Sequence, residues 1–238
     1  MGVTALMLGH SFMPRLDKYL QDRGISNMYI EQSECDIELI SRKFLYVDEI
    51  YTPAVWRLMW QWQPNVVLVD IGTNDLDSER LSPVQMAHKV VDWAEELITS
   101  LGVQCVIICQ VLHRLPDARH SAQSVNFNAR ADQYNQLMVE LCTQVDDRLE
   151  REQSLRFWWH PCMLRLEDMI ADGVHLSDYG LYKYFHSLRK AIWWWVKRKI
   201  RLQHVAPPPP EPEPENTVRR RKRRGRRGIR HRHRKTSR

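Results

Sequence analysis

Three short segments of the sequence carry residue types that acyl-transfer chemistry uses. Ser11 follows an apolar run in MLGHSFMPRL, Asn74 lies in IGTNDL, and Asp172 and His175 lie three residues apart in ADGVHLSDYG. Acyl transfer needs a hydroxyl nucleophile, an imidazole that takes its proton, a carboxylate that orients the imidazole, and donors for the oxyanion. The alternative is that these residues are purely structural. Ser11 would then cap a helix, and Asp172 and His175 would form a polar turn before a helix.

Short apolar runs alternate with longer amphipathic segments over the first 200 residues. The apolar runs predict strands at residues 3–9, 27–32, 65–72, 103–111 and 155–160. The amphipathic segments predict helices near residues 12–23, 44–62, 82–101, 123–150 and 178–202. This alternation favours a three-layer α/β/α sandwich with a five-stranded parallel sheet. Because ligands bind at the carboxyl ends of the strands in such sheets, we expect the three segments to meet at that edge.

The three segments together resemble the sequence blocks of SGNH hydrolases, the GDSL-like esterases and lipases. The first block of that superfamily, Gly-Asp-Ser after a strand, resembles residues 9–11, Gly-His-Ser. Its Gly-x-Asn-Asp block is similar to residues 72–75, and its Asp-x-x-His-Leu block to residues 172–176. Each motif is short, but all three occur in the family's order and each follows a predicted strand. The resemblance covers residues 3–200 and implies a flavodoxin-like sheet.

The resemblance also implies a role for each matched residue. Ser11 would be the nucleophile, and its own N–H would help to bind the oxyanion. His175 would be the general base, and Asp172 would orient its ring. Asn74 would donate its side-chain amide to the oxyanion, and Gly72 would let the backbone approach closely.

The sequence departs from the family pattern in two places. His10 replaces the acid of Gly-Asp-Ser, which is usually a structural residue and not a member of the triad. The second block of the family supplies a glycine N–H to the oxyanion hole, but no glycine lies between Gly24 and Gly72. We expect another residue of the segment 33–43 to supply this N–H. Since the loss of one oxyanion donor typically lowers the rate about 100- to 1,000-fold, turnover by this chain could be slow.

Other polar residues have simpler interpretations. Asp75 is expected to accept hydrogen bonds that stabilise its loop. A metal site built from Asp70, Asp75 and His175 lacks a known ligand spacing, so no metal or cofactor is expected. The five cysteines are unpatterned, which favours reduced thiols, and Cys105 and Cys109 should pack against the same layer.

The C-terminal part of the chain differs sharply in composition. Residues 205–216 form a Pro/Glu-rich segment that predicts an extended linker between a domain at 1–204 and a tail at 217–238. Thirteen Lys and Arg lie between residues 216 and 238 without one acid, whereas residues 1–206 hold 22 basic and 26 acidic residues. The tail is expected to be disordered and to bind RNA or DNA through phosphates. It also resembles a nuclear localisation signal.

The sequence thus predicts a serine esterase or deacylase that acts through an acyl-Ser11 intermediate and carries a polyanion-binding tail. The alternative is an SGNH-like scaffold, weakly active or inactive, in a nucleic-acid-associated protein. Some retroelement-encoded proteins join SGNH-like domains to nucleic-acid-binding segments, and this chain is similar in layout. Neither a signal peptide nor a transmembrane segment is expected, so the predicted location is cytoplasmic or nuclear.

Overall fold

A computed structural model describes residues 2–41, 45–115, 121–161, 163 and 166–204. The predicted linker at 205–216 and tail at 217–238 therefore lie outside the described residues. Five parallel strands form one sheet in the order β2-β1-β3-β4-β5, which is the flavodoxin-like order. The strands are β1 (Val3–Gly9), β2 (Cys35–Ser41), β3 (Val66–Asp70), β4 (Cys105–Cys109) and β5 (Ser154–Trp158).

Six α-helices accompany the sheet in the described part of the chain. They are α1 (Phe12–Asp22), α2 (Pro53–Trp62), α3 (Thr73–Ser78), α4 (Pro83–Leu101), α5 (Ser121–Asp146) and α6 (Asp178–His204). Short 3₁₀ helices occupy Asn27–Tyr29, Val47–Tyr51 and Leu166–Asp168. Helix α4 begins as its sequence predicts, because Ser82 and Gln85 form a reciprocal capping box before Pro83. No helix of the described ranges combines the length and apolarity needed to cross a bilayer.

The strands place alternate residues on opposite faces, and this alternation divides the core into two layers. Leu6 and Leu8 of β1 pack in one cluster with residues of α2, α4 and α5. Ala5 and Met7 pack on the other face with α1 and α6. The three-layer α/β/α sandwich predicted from the sequence is therefore confirmed.

The buried cysteines belong to this packing. Cys105 and Cys109 both lie in the cluster with α1 and α6, as predicted, and Cys35 and Cys142 are also buried free thiols. Burial raises the pKa of Cys35 and of Cys142 to about 12, so these thiols stay protonated and unreactive at neutral pH.

The predicted strand at residues 27–32 is wrong. Asn27, Met28 and Tyr29 all have positive φ and form a tight turn, and the second strand follows at Cys35–Ser41. The side chain of Asn27 joins the turn to that strand, because its Nδ2 donates to the carbonyl of Cys35 at 2.7 Å and its Oδ1 accepts from the amide of Ile37 at 2.9 Å.

The helix predicted near residues 44–62 is broken in the structure. It comprises the 3₁₀ helix Val47–Tyr51 and then α2, while residue 44 lies outside the described residues. The short helix α3 was not predicted, and it carries Asn74 and Asp75.

Candidate active site

Ser11 lies where β1 ends and α1 begins. Although it occupies the cap position of α1, its side chain makes no capping hydrogen bond. Its Oγ lies instead 3.2 Å from Nδ1 of His10. Gly9 allows this sharp turn, because a Cβ there would lie 2.5 Å from Cγ of Met13 and 3.0 Å from the carbonyl oxygen of Asp70. The geometry therefore contradicts the helix-cap interpretation of the hydroxyl.

His10 and Asp70 form a buried pair behind Ser11. Their exposed fractions are 0% and 2%, and Nε2 of His10 lies 3.4 Å from Oδ1 of Asp70. The other carboxylate oxygen of Asp70 accepts a hydrogen bond from the hydroxyl of Tyr184. Burial alone would raise the pKa of Asp70, but the charge and hydrogen bond of His10 and the hydrogen bond of Tyr184 outweigh it and lower that pKa. Asp70 is therefore an anion in the folded protein at neutral pH.

A second buried histidine extends this network beneath the sheet edge. Nδ1 of His160 lies 2.9 Å from Oγ of Ser187, and the same Oγ accepts a hydrogen bond from Nε1 of Trp158 at 3.1 Å. The ring of His160 lies 5.0 Å from that of Tyr184. Burial lowers the pKa of His160 to about 4 despite the nearby charge of Asp70, so its imidazole is neutral at pH 7.

Asp172 and His175 form a compact hydrogen-bonded turn. Oδ1 of Asp172 accepts from the backbone amides of Val174 and His175, both at 2.8 Å, and Oδ2 lies 2.7 Å from Nδ1 of His175. Partial burial would raise the pKa of Asp172, but these bonds from His175 and Val174 lower it. With Nδ1 held by the carboxylate, Nε2 has no hydrogen-bond partner among the described residues. This nitrogen can accept a proton.

The turn at Asp172–His175 lies beside the start of α1. The ring of Phe12, the residue after Ser11, meets the ring of His175 edge-on with centroids 6.5 Å apart. No hydrogen bond links Ser11 to His175 within the described residues, where Oγ of Ser11 pairs with His10. The fold thus brings the predicted nucleophile and base into one neighbourhood, although some 160 residues separate them in the sequence.

Gly72 and Asn74 follow β3 at the same edge. Gly72 has a φ of +107°, and a Cβ there would approach Met86 and Val111 to 3.2 and 3.3 Å, so the position favours glycine. Nδ2 of Asn74 donates to the carbonyl of Leu45 at 3.2 Å, which uses one of the two N–H groups of the amide. Within the part of the chain that the structure describes, the second N–H has no partner and could bind a ligand.

Asp75 holds the loop after β2 in place, as predicted. Both of its carboxylate oxygens accept from the backbone amide of Val47, at 3.2 and 3.1 Å. Together with the Asn74 bond to Leu45, this fixes the loop against α3. The segment expected to replace the missing glycine ends at residues 42–43, which lie outside the described residues.

The sequence did not identify the network behind Ser11. Asp70 enters the sequence analysis only as a metal ligand, but its partners in the structure are His10 and Tyr184. The other two residues of that metal site also have partners elsewhere, because Asp75 binds Val47 and His175 binds Asp172. Among the described residues, no group of three or more His, Cys, Asp or Glu could hold a metal ion. The position of Asp70 and His160 at or just after strand ends places them near the site, but it does not predict which residues they contact.

Comparison with solved structures shows which known fold this is. A family 3 carbohydrate esterase from Clostridium thermocellum matches with a TM-score of 0.56 and 17% identity, over 82% of this chain and 98% of that one. The chain has the fold of SGNH-type esterases. A carbohydrate esterase family 3 protein from Talaromyces cellulolyticus matches with a TM-score of 0.58 and 14% identity over the same shares.

A GDSL-like lipase from Bacteroides thetaiotaomicron shows the same SGNH-type fold, with a TM-score of 0.54 and 12% identity, over 80% of this chain and 88% of that one. No family model and no curated protein matches the sequence. The similarity is therefore one of fold.

Proposed function

We propose that the protein is a serine esterase or deacylase that cleaves a carboxylic ester through an acyl-Ser11 intermediate. The observation that carries the proposal is the meeting of the Ser11 turn with the Asp172–His175 turn, where the ring of Phe12 contacts that of His175. Support also comes from Nε2 of His175, which forms no hydrogen bond with the residues that the structure describes, and from the uncapped hydroxyl of Ser11.

The proposed reaction has two steps. In the first, Oγ of Ser11 attacks the ester carbonyl carbon while its proton passes to Nε2 of His175, and the imidazolium then protonates the departing alkoxide. In the second, water attacks the acyl-enzyme, gives a proton to His175 and releases the acid while the Ser11 hydroxyl is restored. Asp172 stabilises the imidazolium in both steps through Nδ1.

The oxyanion of each tetrahedral intermediate needs positioned donors. The amide of Ser11 is suited to this because the first N–H groups of a helix have no partner within the helix. The second N–H of Asn74 is the other donor that we assign to the oxyanion. Residue 10 has a supporting role in this scheme, because His10 keeps the Ser11 hydroxyl oriented from the buried side.

The test uses an activated aryl ester and a fluorophosphonate probe that labels active serines. Native protein should hydrolyse the ester and take up the probe at Ser11, and Ser11→Ala and His175→Ala should each abolish hydrolysis. Ser100→Ala, which changes an exposed serine near the end of α4, is the matched control and should behave as native. Hydrolysis that survives in Ser11→Ala would overturn the assignment. Absence of probe labelling in native protein would favour the inactive scaffold.

The second proposed activity concerns residues 217–238. We propose that they form an extended basic tail, joined to a domain at 1–204 by the linker at 205–216, and that the tail binds RNA or DNA through phosphates. The supporting observation is the run of 13 basic residues without an acid. Binding should weaken steeply with salt and show little sequence preference, and binding that is insensitive to salt would refute it. The same run is our basis for proposing a nuclear location and a retroelement-like origin.

A further inference from the structure

One face of α6 carries a continuous line of aromatic and cationic side chains. We define the α6 stripe by the residues that follow one another at intervals of three or four, the spacing at which residues share a helix face. Its members are Tyr179, Tyr182, His186, Lys190, Trp193, Lys197 and Arg201. All seven are exposed or half-buried, and the stripe spans about 33 Å at 1.5 Å per residue.

The aromatic end of the stripe presents accessible rings. Tyr179 and Tyr182 are 51% and 48% exposed, and their rings lie nearly parallel, 13° apart with centroids at 6.4 Å. His186 continues the row, with its ring edge-on to Tyr182 at 4.4 Å. The exposed faces of these neighbouring rings offer a surface on which another flat ring can stack.

The far end of the stripe is cationic. Lys190, Lys197 and Arg201 are exposed, and Nζ of Lys197 lies 5.5 Å from the ring centroid of the half-buried Trp193. Burial lowers the pKa of His186, and the charges of Arg189 and Lys190 lower it further, as expected where cations cluster. The stripe therefore combines flat apolar faces with positive charge.

Charge is distributed very unevenly between α6 and the rest of the domain. The helix contains seven basic residues and one acid, Asp178, which pairs with Arg23 at 3.1 Å. Residues 1–177 contain 15 basic and 25 acidic residues. A cationic helix thus lies on an otherwise acidic body, and the partner that this charge attracts is a polyanion.

We propose that the α6 stripe binds single-stranded nucleic acid, with bases stacked on Tyr179, Tyr182 and Trp193 and phosphates paired with Lys190, Lys197 and Arg201. Unpaired bases offer the ring faces that exposed tyrosines can stack on, and the backbone offers the negative charge. A neutral polysaccharide would use the rings but gain nothing from the cations. An acidic protein or a duplex would use the cations but offer no free base to the rings.

This proposal goes beyond the esterase and does not depend on it. It also differs from the binding proposed for residues 217–238, because that segment contains no Phe, Trp or Tyr and offers mainly positive charge. The two contributions are separable, since stacking persists at salt concentrations that weaken purely electrostatic binding.

The experiment measures binding of short oligo(dT) and oligo(U) to the full chain by fluorescence anisotropy over a range of salt. Tyr179→Ala/Tyr182→Ala should weaken binding about 10-fold or more without changing the salt dependence, because stacking is lost. Lys190→Ala/Lys197→Ala should lower the slope of log K against log salt by about 1.4, since each phosphate contact on a single strand contributes about 0.7. The two oligonucleotides distinguish DNA from RNA as the preferred strand.

The matched control is Arg57→Ala/Trp60→Ala, which removes one exposed cation and one exposed ring from α2 on the opposite layer. It should bind as native protein does. If Tyr179→Ala/Tyr182→Ala binds single strands as tightly as the control does, the stripe is not a stacking surface and the proposal fails. A duplex should bind more weakly than a single strand, and equal binding of the two would also refute the proposal. Photocrosslinking with iodouracil-substituted oligonucleotides should label peptides of α6, and labelling confined to residues 217–238 would overturn it.

Discussion

Asp75 offers the sharpest test of how the loop next to the oxyanion donor is held. Its carboxyl is 1% exposed, and its two oxygens share one backbone donor, the amide of Val47. Burial raises the pKa of Asp75 from 3.8 to about 6, only partly offset by the hydrogen bond from Val47. Replacing it by asparagine keeps an acceptor oxygen for Val47 but removes the ionisation.

The size of the effect follows from linkage between protonation and folding. The folded state holds the Asp75 proton more tightly than the unfolded chain, so this group's contribution to stability is lost as pH rises from about 4 to about 6. A difference of about two pKa units corresponds to about 3 kcal/mol, at 1.36 kcal/mol per unit. Above pH 6 the native protein bears this penalty in full, whereas Asp75→Asn bears none of it.

Urea unfolding at several pH values between about 4 and 7, followed by circular dichroism, measures the difference. As pH rises through this window, the free energy of unfolding of Asp75→Asn minus that of native protein should increase by up to about 3 kcal/mol. Groups that titrate equally in both proteins cancel in the comparison. Asp92→Asn, at an exposed carboxyl of α4, is the control and should follow native protein. Parallel curves for native protein and Asp75→Asn would refute the reasoning.

Two further predictions concern the site and the network behind it. Asn74→Ala should lower kcat for an activated ester about 100- to 1,000-fold, because one oxyanion donor is lost, and a decrease below 10-fold would contradict its role. Tyr184→Phe removes a hydrogen bond to the Asp70 carboxylate and should destabilise the protein by about 1.5–3 kcal/mol at neutral pH. The lowered pKa of Asp70 stabilises the folded protein at neutral pH, and this stabilisation is lost as pH falls. Because Tyr184→Phe removes one cause of the lowered pKa, its acid unfolding should begin at a higher pH than that of native protein. An acid midpoint that near-ultraviolet circular dichroism shows to be unchanged would contradict this prediction.

The parts of the fold that the sequence predicts well are those set by local pattern. Strand β1 occupies the predicted residues 3–9, and β3, β4 and β5 lie within two residues of their predicted runs. Strands β3 and β4 are buried throughout, as their apolar runs predict, whereas β5 carries the exposed Arg156. Strand β2 is an edge strand in which Cys35, Ile37 and Leu39 alternate with Asp36 and Glu38, a pattern typical of a half-buried strand, so the sequence prediction placed the strand on the wrong one of two neighbouring segments. The left-handed turn at residues 27–29 could not be predicted from pattern, since only one of its residues, Asn27, favours positive φ.

In the candidate site too, contacts between residues close in sequence could be predicted, and contacts between residues distant in sequence could not. The pairing of Asp172 with His175 is local, and the resemblance to the Asp-x-x-His-Leu block predicted it. The surroundings of Ser11 depend on contacts with β3 and α6, which are distant in sequence, so the burial of His10 against Asp70 and Tyr184 had no local signal.

The histidine that departs from the Gly-Asp-Ser pattern is explained by residue 70. An aspartate at position 10 would place a second carboxylate against the buried anion of Asp70, and two like charges without solvent would repel strongly. An imidazole there supplies the carboxylate with a partner and presents Nδ1 to the Ser11 hydroxyl on its other side. Positions 10 and 70 therefore form one unit, and an acid at position 10 beside Asp70 would raise the pKa of one of the two carboxyl groups, so that the pair would hold a proton.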